Sequence, residues 1–152
     1  MSPSKISRRV FLDRVAWVER MVVQIGQLPL GTIQSFTGDI RNVLSAESCL
    51  RRALEALFDL GRHILARGFG AGVSEYREIA DGLAARGVLT REQGDLLKLL
   101  AGYRNRLVHF YHEVSTEELY QVCSGQLSDI TVLTGALRGW FDSHQELVDS
   151  SL

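Results

Sequence analysis

The sequence has very few residues that would interrupt a helix. It contains only two prolines, Pro3 and Pro29, both before residue 30. Proline lacks a backbone donor and clashes with the preceding turn of a helix, so every segment after Pro29 is free to be helical. The alternation of apolar and polar residues that is typical of half-buried strands is also absent. Together these absences predict an all-α protein.

Cysteines and long apolar runs are equally scarce. Cys49 and Cys123 stand alone, without a CxxC pair or a Cys/His spacing, which argues against structural zinc. Two unpaired cysteines are typical of a reducing compartment, and we therefore expect a cytoplasmic protein. No window approaches the roughly 20 apolar residues that span a bilayer, so no membrane segment is expected.

A strong charge of either sign is missing as well. The formal net charge is −1, and the basic residues are fifteen arginines and only two lysines. A near-neutral chain has no broad positive field that attracts nucleic acid, so any contact with RNA should be local. Arginine suits bidentate contacts with phosphate, although codon bias in a GC-rich genome would explain the same excess.

The chain does contain apolar residues at three- and four-residue spacing, which indicates amphipathic helices. Its 152 residues are enough for one domain, which we assign to 1–152. About five helices are predicted, at about 5–27, 39–68, 74–87, 91–111 and from 115 onward. Ser74 is expected to cap the third helix. Capping boxes for the last two helices are predicted at Thr90 with Gln93 and at Ser115 with Glu118. Short connections favour an antiparallel bundle.

Polar side chains cluster in one segment, YRNRLVHFYHEV, at residues 103–114. Arg104 and Tyr111 are seven residues apart, or two helical turns, and would share a face while the helix lasts. His109 follows Arg104 by five residues and would lie about 140° around the helix axis. Arg104 and His109 could therefore line the rim of one cleft, or the helix could loosen near His109.

This segment resembles a known signature. Arg104, Asn105, His109 and Tyr111 form Arg-Asn-x-x-x-His-x-Tyr, which is similar to the R-x-x-x-x-H motif of the HEPN superfamily of helical ribonucleases. The trailing tyrosine makes it closer to the HepT toxins of the HepT/MntA toxin–antitoxin type. The segments AESCLRRALEALFDLGRHILA, YREIADGLAARGVLT and YHEVSTEELY extend the resemblance over about 46–141. It implies a HEPN-like antiparallel bundle of four to five helices.

The resemblance also implies a chemistry. It suggests the toxin of a type VII-like toxin–antitoxin system, acting as an endoribonuclease that needs no metal, with tRNA as a plausible substrate. His109 would take the 2′-hydroxyl proton or protonate the leaving 5′-oxygen. Arg104 would clamp the phosphate, and Asn105 would orient the phosphate or the histidine. Because the family dimerises with two motifs facing one cleft, we expect a homodimer.

Tyr111 has a separate implied role. In proteins of the HepT type, a small MntA-like nucleotidyltransferase antitoxin uses ATP and magnesium to attach AMP to this tyrosine. Such an adduct would place a negative phosphate and a purine close to Arg104. We therefore expect modification of Tyr111 to block RNA binding.

Several residues also have purely structural interpretations. Arg104 could form an ion pair with Glu47 or Glu55 on the preceding long helix, which would be compatible with a functional role. Tyr111 could be a half-buried core aromatic. His63 and His144 have no evident partners and are predicted to be surface residues.

For the whole protein, the main alternative is a non-catalytic dimeric platform that binds a nucleotidyltransferase partner, with the motif kept for complex formation. A nucleotide-binding domain is a weaker alternative. Its glycine-rich candidate loop, GFGAGVS, does not follow a predicted strand, as a phosphate-binding loop would. The ribonuclease and the platform differ in one test. Replacing His109 by alanine should abolish RNA cleavage by a ribonuclease, whereas a platform should show no cleavage that depends on this histidine.

Overall fold

The structure, a computed structural model, describes residues 4–151 and is almost entirely helical over that range. The α-helices are α1 (Arg8–Gly26), α2 (Ile33–Thr37), α3 (Ile40–His63), α4 (Tyr76–Ala85), α5 (Arg91–His109), α6 (Thr116–Gln121) and α7 (Leu127–Ser143). The other elements are π-helical turns at Ile64–Gly68 and Val122–Gln126, 3₁₀ turns at Tyr111–Glu113 and Gln145–Leu147, and the parallel strands β1 (Ile6–Ser7) and β2 (Val148–Asp149).

The predicted all-α bundle is confirmed, but several helix boundaries differ. A short helix, α2, forms inside the predicted loop because Thr32 caps it, accepting a hydrogen bond from the backbone of Ser35 at 3.1 Å. Ser74 does not cap the predicted third helix. That helix is α4, which begins at Tyr76 with Glu75 as its N-cap residue. The Ser74 carbonyl instead accepts a hydrogen bond from Arg62 at 3.1 Å. The predicted last helix is broken into α6, a π-helical turn and α7.

One continuous cluster of buried side chains holds the helices together. Leu50, Leu54 and Leu57 of α3 are fully buried and follow helical spacing, and each contributes roughly 2 kcal/mol by leaving water. Phe11 stacks on Phe141 with ring centroids 3.9 Å apart, which joins α1 to α7. Among the helices that the structure describes, none combines the length and the apolar character needed to cross a membrane.

The packing of α4 against its neighbours depends on two glycines. A Cβ atom at Gly61 of α3 would lie 2.9 Å from side-chain atoms of both Ile79 and Leu83. A Cβ atom at Gly94 of α5 would lie 2.9 Å from the Cβ of Ala84. The absence of side chains at these two positions therefore lets α4 fit closely against α3 and α5.

Capping residues fix both ends of the segment that carries the motif. Thr90 and Gln93 form the predicted capping box, with bonds of 3.1 and 2.9 Å, and start α5. Ser115 accepts the predicted bond from the backbone of Glu118 at 3.1 Å. The second bond of a capping box would run from the backbone N–H of Ser115 to the Glu118 side chain. The Glu118 carboxylate binds Arg106 instead.

The two ends of the described chain are joined beside α3. The backbone N–H of Ser7 donates to Nε2 of His63 at 3.0 Å, and Arg8 contacts Ser150 at 3.2 Å. The prediction that His63 and His144 are surface residues without partners is therefore wrong. Both are partly buried, and Nδ1 of His144 lies 2.7 Å from the carbonyl oxygen of Trp140. Burial, together with the charges of Arg67 and Arg14, lowers the pKa of His63 to about 4.

Candidate functional site

Arg104 lies on α5 and is held by three neighbours. Its Nη2 is 3.4 Å from Oε1 of Glu55 on α3, and its Nη1 donates to Oδ1 of Asn105 at 3.2 Å. Its Cζ lies 4.4 Å from the ring centroid of Tyr76, a cation–π distance. The side chain is only 17% exposed. Of the two ion-pair partners considered for Arg104, the structure selects Glu55 and not Glu47.

Tyr76 is fixed in turn by α3. Its ring stacks on that of Phe58, with centroids 4.5 Å apart and planes at 1°, so the ring that faces Arg104 is itself held by packing. Meanwhile Nε of Arg104 is buried and has no acceptor among the residues described. Arg104 is therefore a fixed guanidinium, and an anionic oxygen could accept a hydrogen bond only from the part of it that lies in the exposed 17% of the side chain.

His109 is the last residue of α5 and is exposed. The helix ends there because Phe110 adopts φ −132° and ψ 40°, outside the helical region. The motif helix thus stops two residues before the predicted boundary at 111. Within residues 4–151, no side-chain hydrogen bond restrains the imidazole, and none joins it to Arg104.

Tyr111 begins the 3₁₀ turn after α5 and is 64% exposed. The interpretation of Tyr111 as a half-buried core aromatic is therefore wrong. The shared helical face of Arg104 and Tyr111 is also not formed, since the helix ends between them. Tyr111 instead lines a cleft of about 240 Å³ between α3 and the end of α5. The other residues lining this α3 cleft are Leu44, Glu47, Ser48, Arg51 and Leu107.

Arg51, which lines the α3 cleft, and Arg104 approach the same carboxylate, that of Glu55. Nη1 of Arg51 lies 3.5 Å from Oε1 of Glu55, the same oxygen that Arg104 approaches. The side chain of Arg51 is 37% exposed. The sequence analysis predicted neither the pairing of Arg51 with Glu55 nor the contact of Tyr76 with Arg104.

Arg106 has a structural role at the same helix end. Its guanidinium binds both carboxylate oxygens of Glu118, at 2.5 and 2.8 Å, and donates to the Glu113 carbonyl at 3.2 Å. The hydrogen bond to Glu118 raises the pKa of Arg106. These contacts tie the turn that carries Tyr111 to α5 and α6, consistent with the absence of Arg106 from the predicted catalytic set.

Metal-binding chemistry has no support in the described part of the chain. Within residues 4–151, no group of three or more histidine, cysteine, aspartate or glutamate side chains is arranged to hold a metal ion. The polar groups that the motif places at this helix end are the Arg104 guanidinium, the Asn105 amide, the His109 imidazole and the Tyr111 phenol.

Sequence comparison identifies a family and a similar protein. Residues 13–136 match the family model described as ribonuclease HepT-like. The chain is similar to the mRNA nuclease HepT of Shewanella oneidensis, with 27% identity over 120 residues that cover 79% of this chain and 90% of that protein.

Solved structures with the same fold include a tri-AMPylated HEPN toxin of Shewanella oneidensis bound to its MNT antitoxin. That toxin has a TM-score of 0.77 and 25% identity, covering 86% of this chain and 97% of its own. A toxin–antitoxin structure with AMP-PNP gives a TM-score of 0.76 at 24% identity, covering 84% and 97%. The Bacillus subtilis protein YutE, called a cytosolic protein of unknown function, gives 0.77 at 21%, covering 95% and 98%.

The last two likenesses concern the fold alone, whereas the family match spans most of the chain and includes the whole motif. The predicted resemblance to HEPN proteins of the HepT type is thereby confirmed. This chain belongs to the ribonuclease HepT-like family.

Proposed function

We propose that this protein is an endoribonuclease that cleaves RNA with Arg104 and His109 and without a metal ion. The observation that carries the proposal is the arrangement at the end of α5. Arg104 is fixed by Glu55, Asn105 and Tyr76, and 17% of its side chain remains exposed. His109, five residues later, is exposed and unrestrained.

The proposed reaction uses the nucleophile that RNA already contains. The 2′-hydroxyl oxygen attacks the adjacent phosphorus, the bond from phosphorus to the 5′-oxygen breaks, and a 2′,3′-cyclic phosphate forms. One proton leaves the 2′-oxygen and another reaches the 5′-oxygen, and imidazole can carry either. Arg104 donates to the phosphate as its charge redistributes, while Asn105 orients the guanidinium through its 3.2 Å contact.

The motif supplies one histidine in each chain, His109, whereas the reaction moves two protons. A homodimer would supply a second His109. Exposed apolar side chains near the motif support an interface there. Phe110, next to His109, is 50% exposed. Ile40, one turn before the cleft-lining Leu44 on α3, is 65% exposed.

The proposed regulation is AMPylation of Tyr111 by an MntA-like nucleotidyltransferase antitoxin that uses ATP and magnesium. The tri-AMPylated state of a similar HEPN toxin, solved with its MNT antitoxin, supports this step. The exposure of Tyr111 supports it as well. The protein would then be the toxin of a type VII-like toxin–antitoxin system in the cytoplasm. The similar protein from Shewanella oneidensis is an mRNA nuclease, so mRNA joins tRNA as a candidate substrate.

The test is RNA cleavage in EDTA. Unmodified protein is incubated with total cellular RNA beside the His109→Ala variant, and new RNA ends are mapped. We expect new 2′,3′-cyclic phosphate ends with the wild-type protein and none with His109→Ala. The matched control is His112→Ala, because His112 is a neighbouring exposed histidine outside the motif.

Identical RNA in the wild-type and His109→Ala reactions would contradict the proposal, provided that mass spectrometry finds Tyr111 unmodified. The protein would then act as a non-catalytic dimeric platform for a nucleotidyltransferase. Such a platform would still bind its partner, and neither histidine variant would change RNA cleavage.

A further inference from the structure

We infer that the α3 cleft is the binding site for the adenylyl group once that group is attached to Tyr111. The inference rests on the proposed AMPylation and assigns the residues of this chain that receive the adduct. Tyr111 lines the cleft itself, so the phosphorus bonded to its phenolic oxygen would already lie at the cleft.

The chemistry of the cleft matches the three parts of an adenylyl group. Arg51 supplies a cation for the phosphodiester, which keeps one negative charge. Glu47 supplies a carboxylate that can accept hydrogen bonds from the ribose hydroxyls. Leu44 and Leu107 supply apolar surface for the purine. The carboxylate of Glu47 would repel the phosphate, which therefore belongs on the side of Arg51 and Ser48.

Arg51 is free to make this contact. Its side chain is 37% exposed, and its 3.5 Å approach to Glu55 is longer than a normal charged hydrogen bond. Ser48 accepts a bond from Arg52 at 3.1 Å, and its own hydroxyl proton can still be donated. The adduct would thus gain two donors without displacing a well-formed contact.

Arg104 is less suited to the adduct than the sequence suggested. Its side chain is 17% exposed and is engaged by Glu55, Asn105 and Tyr76, and it does not line the α3 cleft. The adduct is therefore expected to bind Arg51 rather than Arg104.

The experiment measures how well the folded protein protects its adduct. The chain is co-expressed with an MntA-type nucleotidyltransferase, and the species with one adenylyl group on Tyr111 is isolated and verified by mass spectrometry. A phosphodiesterase then releases AMP from the folded protein and from a proteolytic peptide that carries the same adduct. The peptide gives the rate of release without a cleft.

We expect release from folded wild-type protein to be at least about tenfold slower than from the peptide, because a charge-assisted hydrogen bond restrains the phosphate. Arg51→Gln should bring release close to the rate of the peptide. Leu44→Ser, at a residue exposed enough to leave the fold intact, should also speed release. The matched control is Arg138→Gln on α7, which lies outside the cleft and should stay protected.

The contrary results separate the inference about the cleft from the proposed AMPylation. If Arg51→Gln and Leu44→Ser protect the adduct as well as the wild-type protein does, the cleft does not bind it, and the inference is overturned while AMPylation stands. Equal release from folded wild-type protein and peptide has the same meaning. If no adenylyl group is found on Tyr111, both this inference and the proposed regulation are wrong.

Discussion

The charge of Glu55 fixes the direction of the Arg104 guanidinium, because Nη2 of the arginine approaches the carboxylate at 3.4 Å. Glu55→Gln keeps the shape of the side chain and removes its charge. We expect the turnover number for RNA to fall about tenfold through misplacement of Arg104, with little change in KM. Because the pair is partly exposed, the free energy of unfolding should fall by less than about 1 kcal/mol.

A second carboxylate provides the control for Glu55→Gln. Asp81 pairs with Lys98 at 2.9 Å between α4 and α5, away from Arg104. Asp81→Asn therefore removes a comparable ion pair and should leave turnover unchanged. Equal turnover in Glu55→Gln and wild-type protein would show that the charge of Glu55 does not position Arg104.

The Tyr76 ring gives a related prediction. Tyr76→Phe keeps both the stacking on Phe58 and the cation–π contact with Arg104 and should retain RNA cleavage. Tyr76→Leu loses the aromatic face, and we expect cleavage to fall about tenfold, in line with roughly 1–2 kcal/mol for a desolvated cation–π contact. Single-turnover cleavage rates of the two variants check this prediction. Equal rates would remove Tyr76 from the proposed site.

At the level of single residues, the sequence predicted the motif and offered Glu55 as one of two ion-pair partners for Arg104, but it did not predict the contact with Tyr76. Arg104, Asn105, His109 and Tyr111 are close together in the chain, so their spacing identified them as a group. Tyr76 could not be predicted, because it lies 28 residues before Arg104 and approaches it only through the packing of α4.

Among the helices, Gly94 shows how closely α5 fits against α4. In an exposed helix, glycine to alanine stabilises by up to about 1 kcal/mol. Gly94→Ala should instead destabilise by about 1–3 kcal/mol, because its Cβ would lie 2.9 Å from that of Ala84. Urea unfolding curves give the measurement.

Gly102 on the same helix is the matched control for Gly94. A Cβ there would meet only the end of the Arg77 side chain, at 3.8 Å. Gly102→Ala should therefore keep or raise stability. Loss of stability of the same size in both variants would mean that the close contact at Gly94 is not the cause.

Helix starts were more predictable than helix breaks. The caps at Thr90 and Ser115 were evident because capping depends on two residues three positions apart. The break between α6 and α7 contains Ser124 and Gly125, both weak helix formers, within apolar spacing that suggested one helix. In that turn, the hydroxyl of Ser124 donates to the Tyr120 carbonyl at 2.7 Å, a side-chain bond that often bends a helix.

For the molecule as a whole, the junction of its two ends predicts sensitivity to acid. The pKa of His63 is lowered to about 4 in the folded protein, against about 6.5 when unfolded. Below pH 6.5 the unfolded chain binds the extra proton first, so stability should fall as the pH drops from 6.5 to 4. We expect a loss on the order of 2 kcal/mol, allowing for partial exposure.

Urea unfolding at several pH values between 4 and 7 tests this expectation. His63→Gln should make the free energy of unfolding less dependent on pH between 4 and 7. It also weakens the contact with Ser7 and therefore lowers stability at pH 7. His144→Gln changes another partly buried histidine and should keep the slope. An unchanged slope in His63→Gln would assign the acid sensitivity to other groups.

The proposed homodimer makes a prediction about mixed assemblies. If both proton transfers in one cleft need His109 from each chain, a dimer with one His109→Ala subunit should be nearly inactive. RNA cleavage should then fall as the square of the wild-type fraction when the two proteins are unfolded and refolded together. A linear fall would mean that each chain cleaves RNA independently.

The helical bundle was predictable because its apolar periodicity repeats over many residues. The junction of the ends was not, because β1 and β2 contain two residues each, too few for a period, and Arg8 and Ser150 are separated by 142 positions. Contacts of this kind become visible only when the whole chain is folded.

The oxygen of Glu55 that faces both Arg51 and Arg104 has a thermodynamic consequence. A ligand that draws one arginine away leaves the carboxylate more fully to the other, so the two phosphate sites are linked. Linkage between two binding sites is reciprocal. If an adenylyl group at Arg51 changes the affinity of Arg104 for RNA by some factor, RNA bound at Arg104 changes the affinity of Arg51 for that group by the same factor. The amount of RNA in the cell would then help to set how firmly the inhibited state is kept.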